Sequence, residues 1–143
     1  MRKLSRIGTI AAILFLLARA AAAAEPEVRF LTVDVVIDAG ADALAAYQVE
    51  ITADGDASIL SVEGGEHPAF NPPPFFDEAA LGGGRIRLAA FSTRADLPSG
   101  RTRVATLHVR ESGAVTYRAR LLAAARADGS RFSPPVSTVA GGH

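Results

Sequence analysis

The chain of 143 residues contains no cysteine and no tryptophan. Without thiols it can build neither a disulfide framework nor a thiolate metal centre, so the fold must be held by an apolar core alone. Aromatic residues are few, with two tyrosines and seven phenylalanines, which leaves little to stack on bases and argues against nucleic-acid binding. Long apolar runs are also missing. The run before Arg19, Ile7 to Leu17, has 11 residues, whereas a membrane-spanning helix needs roughly 20.

What is present at the start is a leader pattern. Arg2, Lys3 and Arg6 precede that apolar run, and Ala22-Ala23-Ala24 offers the small residues that signal peptidases cut, placing cleavage before Glu25. The expectation is a signal peptide over residues 1–24 and an extracytoplasmic mature chain, secreted or periplasmic, over residues 25–143. After leader cleavage no membrane insertion is expected. An uncleaved leader acting as an anchor is the alternative. The mature length suits one domain.

Charge is unevenly placed. All 15 acids follow the leader, with 11 of the 15 bases, so residues 25–143 carry a net charge of −4. Residues 25–78 hold 12 acids and one base, Arg29, whereas residues 85–143 hold 10 arginines against Asp96, Glu111 and Asp128. Either the arginines form a surface for an anionic partner, or acidic and basic strands lie side by side and neutralise one another. The alternation of these charges with apolar residues favours the second.

The hydrophobic period from Val28 onward is two. Leu31, Val33, Val35 and Ile37 share one side of a first strand, and Tyr47, Val49 and Ile51 oppose Gln48, Glu50 and Thr52 in a second. Asp38 to Asp42 reads as a turn, and Asp54-Gly55-Asp56 reads as the end of the second strand. Ser58 to Glu63 follows as a third. His67 to Phe76, with four prolines and three phenylalanines, reads as a long loop or a broken edge strand. Asp77 to Leu81 suits one helical turn, and Gly82-Gly83-Gly84 resets the direction.

Arg85 to Phe91 alternates again, Arg103 to Arg110 is a further strand, Glu111-Ser112-Gly113 reads as a turn, and Val115 to Ala124 is a long strand. Asp128-Gly129 signals a hairpin, and Phe132 to Val139, broken by Pro134-Pro135, belongs on an edge. Seven or eight short strands without a long helix predict an all-β, antiparallel two-sheet β-sandwich. Helices over the alanine-rich stretches 39–46 and 121–127 are the second choice.

Catalytic chemistry finds no foothold. His67, His108 and His143 have no partners at metal-like spacing, and a Ser-His-Asp inventory is met only because such residues are common. Asp54, Asp56, Asp38 and Asp42 suit turns as well as they suit calcium. Neither cofactor nor metal is expected, and the chain does not read as an enzyme.

The order of elements resembles a cohesin domain. The residues that carry the resemblance are Ala45-Ala46-Tyr47-Gln48-Val49-Glu50-Ile51, Ile59-Leu60-Ser61-Val62-Glu63-Gly64, Gly84-Arg85-Ile86-Arg87-Leu88-Ala89-Ala90-Phe91 and Val104-Ala105-Thr106-Leu107-His108-Val109. The opening strand departs from the family pattern, and Thr52-Ala53-Asp54 stands where the family has tyrosine-aspartate.

The resemblance implies a secreted jelly-roll sandwich that docks a protein, such as a dockerin-like partner, on one flat sheet face. That face would present Gln48, Glu50, Arg85, Arg87, Arg118 and Arg120. The same residues also suit a solvated, mutually paired face. A polysaccharide-binding module is the rival reading, with Phe75 and Phe76 of the proline loop as the rings available to a sugar, and edge-strand addition to a neighbour is a third.

Overall fold

The computed structural model describes residues 25–141, so the leader reading of residues 1–24, and His143, lie outside the described residues. Five antiparallel strands, β1 (Val28–Asp38), β2 (Ala46–Gly64), β3 (Arg85–Phe91), β4 (Arg101–Ala125) and β5 (Val136–Gly141), are hydrogen-bonded in the order β3-β2-β4-β1-β5. Two short 3-10 turns, Pro68–Phe70 and Glu78–Ala80, are the helical elements among the described residues. The fold is all-β. Both alanine-rich stretches are non-helical, and residues 121–125 belong to β4.

Five strands stand where seven or eight short ones were expected, because two of the expected turns do not end a strand. At Asp54-Gly55-Asp56 the β2–β4 ladder shifts register and resumes, with Gly55 at φ 129°. A Cβ at Gly55 would lie 2.6 Å from the Ala114 carbonyl oxygen, so the position demands glycine for space as well as for φ. Across the ladder, Glu111-Ser112-Gly113 also stays within its strand, with Gly113 at φ 72°. Positive-φ glycine reads as a turn in sequence, but here it makes bulges that bend a continuous strand. Asp56 pairs with Ser112 and Asp54 with Thr116, so both long strands bend at the same level.

The bend sorts the pairings into two sets. The first half of β2 (residues 46–54) pairs with β3 and with the end of β4, whereas the second half (56–64) pairs with the beginning of β4, which in turn carries β1 and then β5. Alternate residues from both sets enter one core, including Val33, Val35 and Ile37 of β1, Val49 and Ile51 of β2, Ile86 and Leu88 of β3, and Leu107 and Val109 of β4. Each such fully buried aliphatic side chain contributes about 1.5–3 kcal/mol. Tyr47 ties the sets together, since its hydroxyl donates to the Val104 carbonyl at 3.3 Å while its ring packs edge-on against Phe70 at 5.4 Å.

This order also interleaves the charged halves of the chain. Glu50 meets Arg87 and Arg120, Asp54 meets Arg118, and Asp42 meets Arg126. The expected neutralisation of acidic by basic strands therefore occurs for Glu50 and Asp54 across the β2–β3 and β2–β4 ladders. For Asp42 it occurs just outside the strands, where the chain enters β2 and leaves β4.

Candidate functional site

Three strand segments turn one face outward. In β3 the residues Ile86 and Leu88 are buried, so strand alternation sends Arg85, Arg87, Ala89 and Phe91 to the opposite side. Their cross-strand partners on β2 are Thr52, Glu50, Gln48 and Ala46. Beyond these, on β4, lie Arg118 opposite Thr52, Arg120 opposite Glu50, and Ala123 and Ala125 opposite Gln48 and Ala46. The structure thus brings Gln48, Glu50, Arg85, Arg87, Arg118 and Arg120 onto one sheet face.

That face has a charged end and an apolar end. At the charged end Glu50 sits low between two arginines: Arg87 Nε donates to Oε2 at 2.9 Å and Arg120 Nη2 donates to Oε1 at 3.2 Å. The Glu50 side chain is 9% exposed, whereas those of Arg87 and Arg120 are 64% and 66% exposed. The Arg87 hydrogen bond, joined by that of Arg120, holds the Glu50 carboxyl below the usual carboxylate range despite the opposing desolvation. Arg118 reaches Asp54 at 3.3 Å at the outer margin.

At the apolar end the floor is alanine. Ala46, Ala89, Ala123 and Ala125 line a shallow hollow of about 330 Å³, with Phe75 and Phe91 at its wall. Phe75 is 72% and Phe91 68% exposed, unlike the aromatic residues that fill the core. Gln48 and Arg131 complete the rim, the latter brought in by the hairpin that bridges Arg131 back to Ala125.

Phe75 and Phe76 part company. Phe75 exchanges backbone hydrogen bonds with Ala89 at 2.8 and 3.0 Å, which fixes it as extended chain beside β3. Neighbouring residues on extended chain point to opposite sides, so Phe76 turns in and packs half-buried against the core. Phe76 therefore does not share the outward face, and Phe70 is fully buried. The proline loop both caps the core and presents one ring.

Phe91, Arg131 and the four alanines were not singled out from sequence, although Ala89 and Phe91 continue the outward alternation of Arg85 and Arg87. Ala125 could not be reached by counting, because the β2–β4 register shifts between Gln48 and Val49. Arg131 arrives only through the return of the hairpin.

Several titratable groups elsewhere have local partners. His67 Nδ1 accepts the Ala69 N–H at 3.0 Å and caps a 3-10 turn, and His108 Nε2 lies 3.2 Å from Glu63. Asp38 accepts from the Gly40 N–H, while Asp42 is held by Arg126, whose hydrogen bond pulls the Asp42 carboxyl down. No group of three or more potential metal ligands gathers among the described residues. A second exposed apolar patch, Phe30 and Leu60, lies with His108 on β1, β2 and β4. Compared with family models, curated proteins and solved structures, the chain matches none.

Proposed function

We propose that this chain is an exported, non-enzymatic binding module, a two-sheet sandwich of cohesin-like layout, whose β2–β3–β4 face receives a protein partner, with a dockerin-like module as one such partner. The sandwich layout is supported by the shared bend of β2 and β4 and by the Tyr47–Val104 hydrogen bond between the two sets of pairings. The export reading rests on the leader pattern, and a mature N terminus at Glu25 is its direct check.

One observation carries the binding reading: two phenylalanine rings stand about 70% exposed over an alanine floor that runs into the arginine-held Glu50. Exposed aromatic rings beside arginine are what interface hot spots are made of. Mutual pairing alone would account for Glu50, Arg87 and Arg120. It leaves Phe75 and Phe91 in water without a role.

The same two rings also favour the rival, a polysaccharide-binding module. The floor weighs against it, because sugar hydroxyls laid on Ala46, Ala89, Ala123 and Ala125 would lose water with only Gln48 and Arg131 at the rim to replace it. The test is capture of exported proteins of the source organism, and retention on insoluble polysaccharides, by the wild type and by the Phe75→Ala/Phe91→Ala double variant. A protein retained by the wild type and lost by the variant supports the proposal. Ring-dependent retention on polysaccharide with no protein captured replaces it with the rival.

A further inference from the structure

The β2–β3–β4 face differs in charge from the rest of the molecule. Five arginines lie on or beside it, Arg85, Arg87, Arg118, Arg120 and Arg131, against two acids, Glu50 and Asp54, for a net +3. Residues 25–143 as a whole carry −4. Among the described residues, the Arg85 and Arg131 side chains meet no carboxylate. They are exposed, and they stand at opposite ends of the face, Arg85 beside the charged end and Arg131 beside the alanine floor.

Glu50 organises the arginines without using them up. It takes only Nε of Arg87 and Nη2 of Arg120, and a guanidinium has five N–H donors in a planar fork. Both arginines therefore keep donors free at the surface, held in place by a carboxylate that lies beneath them. A second carboxylate arriving from solution would meet guanidinium forks already oriented, with donors free for a charge-assisted, two-donor contact. The alanine floor begins one outward position from Glu50, at Gln48 and Ala89, roughly 7 Å along the strand.

We infer that the occupant of this face is an acidic polypeptide segment, with carboxylates set on Arg85, Arg87, Arg120 and Arg131 and an apolar side chain seated on the alanine floor between Phe75 and Phe91. This rests on the proposed binding role of the face and adds the chemistry of its partner. An anionic polysaccharide would satisfy the arginines, but it has no apolar side chain for the floor. The local charge steers a negative segment to this face of an otherwise acidic protein.

The experiment is selection from a random peptide library displayed on phage against the purified protein, followed by anisotropy titration of the enriched peptides and of oligogalacturonate. Enriched peptides are expected to carry an excess of Asp and Glu around a large apolar residue and to bind more weakly as salt is raised. Arg85→Glu/Arg131→Glu should weaken them by roughly tenfold for each arginine reversed. The same charge change placed elsewhere, Arg101→Glu/Arg110→Glu, should leave them within a few-fold, and circular dichroism confirms that both variants are folded.

Enrichment of neutral or basic peptides, or equal loss in both charge variants, overturns the acidic inference. If such peptides lose binding in Phe75→Ala/Phe91→Ala, the face still stands as the binding surface. If they ignore the rings as well, the face itself is wrong. Oligogalacturonate bound in preference to every peptide, or no enrichment at all, also overturns the inference.

Discussion

Tyr117 and Glu111 belong to one strand and are six residues apart, yet the Tyr117 hydroxyl donates to Glu111 Oε2 at 2.7 Å. A straight strand would separate their Cα atoms by roughly 20 Å. The contact is possible because β4 bends between them, at Gly113. Arg29 of β1 closes the arrangement by donating to Glu111 Oε1 and to the Gly113 carbonyl, both at 2.7 Å. A carboxylate only 7% exposed is thereby satisfied on both oxygens and pins the bend that gives the molecule its two sets of pairings.

Removing either part of this clasp should destabilise the protein without a change of fold. Tyr117→Phe deletes a hydrogen bond to a buried charge and is expected to cost about 1.5–3 kcal/mol. Gly113→Ala has room for its methyl, the nearest atom being Pro26 Cβ at 3.8 Å, but it forces φ 72° on an L residue, at about 1–2 kcal/mol. Urea denaturation measures both. The two losses should be less than additive, because both act on the same bend.

The same tyrosine sets an alkaline limit. Burial, then the Glu111 hydrogen bond and charge, raise the Tyr117 phenol above its ordinary value, and burial does the same to Tyr47. A raised folded-state pKa means that the folded protein holds its proton where the unfolded chain has released it. Stability from these groups is therefore complete below the unfolded value, about 10, and is lost as pH rises above it. Tyrosinate absorbance should appear together with unfolding rather than before it. Tyr117→Phe should make the alkaline decline shallower.

At the acid end the sign reverses. Glu50, Asp42, Asp96 and Asp128 all have lowered values, Glu50 chiefly through Arg87 and Asp42 through Arg126. Their contribution is present above the unfolded carboxylate values of about 4 and fades as pH falls through the folded ones. Glu50→Gln should flatten part of that acid decline in thermal melts across pH. It should also lower the melting temperature at neutral pH, because Arg87 and Arg120 then face each other without their counter-ion.

The phenylalanines separate core from surface. Phe70→Ala is expected to cost about 3–5 kcal/mol and Leu88→Ala about 2–5 kcal/mol, as large-to-small changes at fully buried sites. Phe91→Ala and Phe75→Ala, at exposed positions, should stay within about 0.5 kcal/mol of the wild type. Comparable losses for all four would place Phe75 and Phe91 in the core and remove the proposed binding face.

Much of this arrangement is legible in the alternation of side chains. Tyr47 to Thr52 and Arg85 to Phe91 each declare a buried and an outward side, and that alone gathers Gln48, Glu50, Arg85 and Arg87. Arg118 and Arg120 join them because Thr52 and Glu50 face them across the ladder. What alternation does not carry is continuity. Gly55 and Gly113 have the chemistry of turns, and only the ladder on their far side, a long-range pairing, makes them bulges within long strands. Phe75 and Phe76 are indistinguishable as neighbours in a proline-rich loop until the bridge to Ala89 decides which ring faces water.

The most direct measurement is amide hydrogen exchange on the complex between this protein and a partner captured from exported proteins. Protection on binding is expected over residues 46–50, 85–91 and 118–125 and at Phe75, with residues 28–34 and 58–62 unchanged. Protection concentrated instead around Phe30 and Leu60, with the β2–β3–β4 face exchanging as in the free protein, would contradict the assignment of the binding surface.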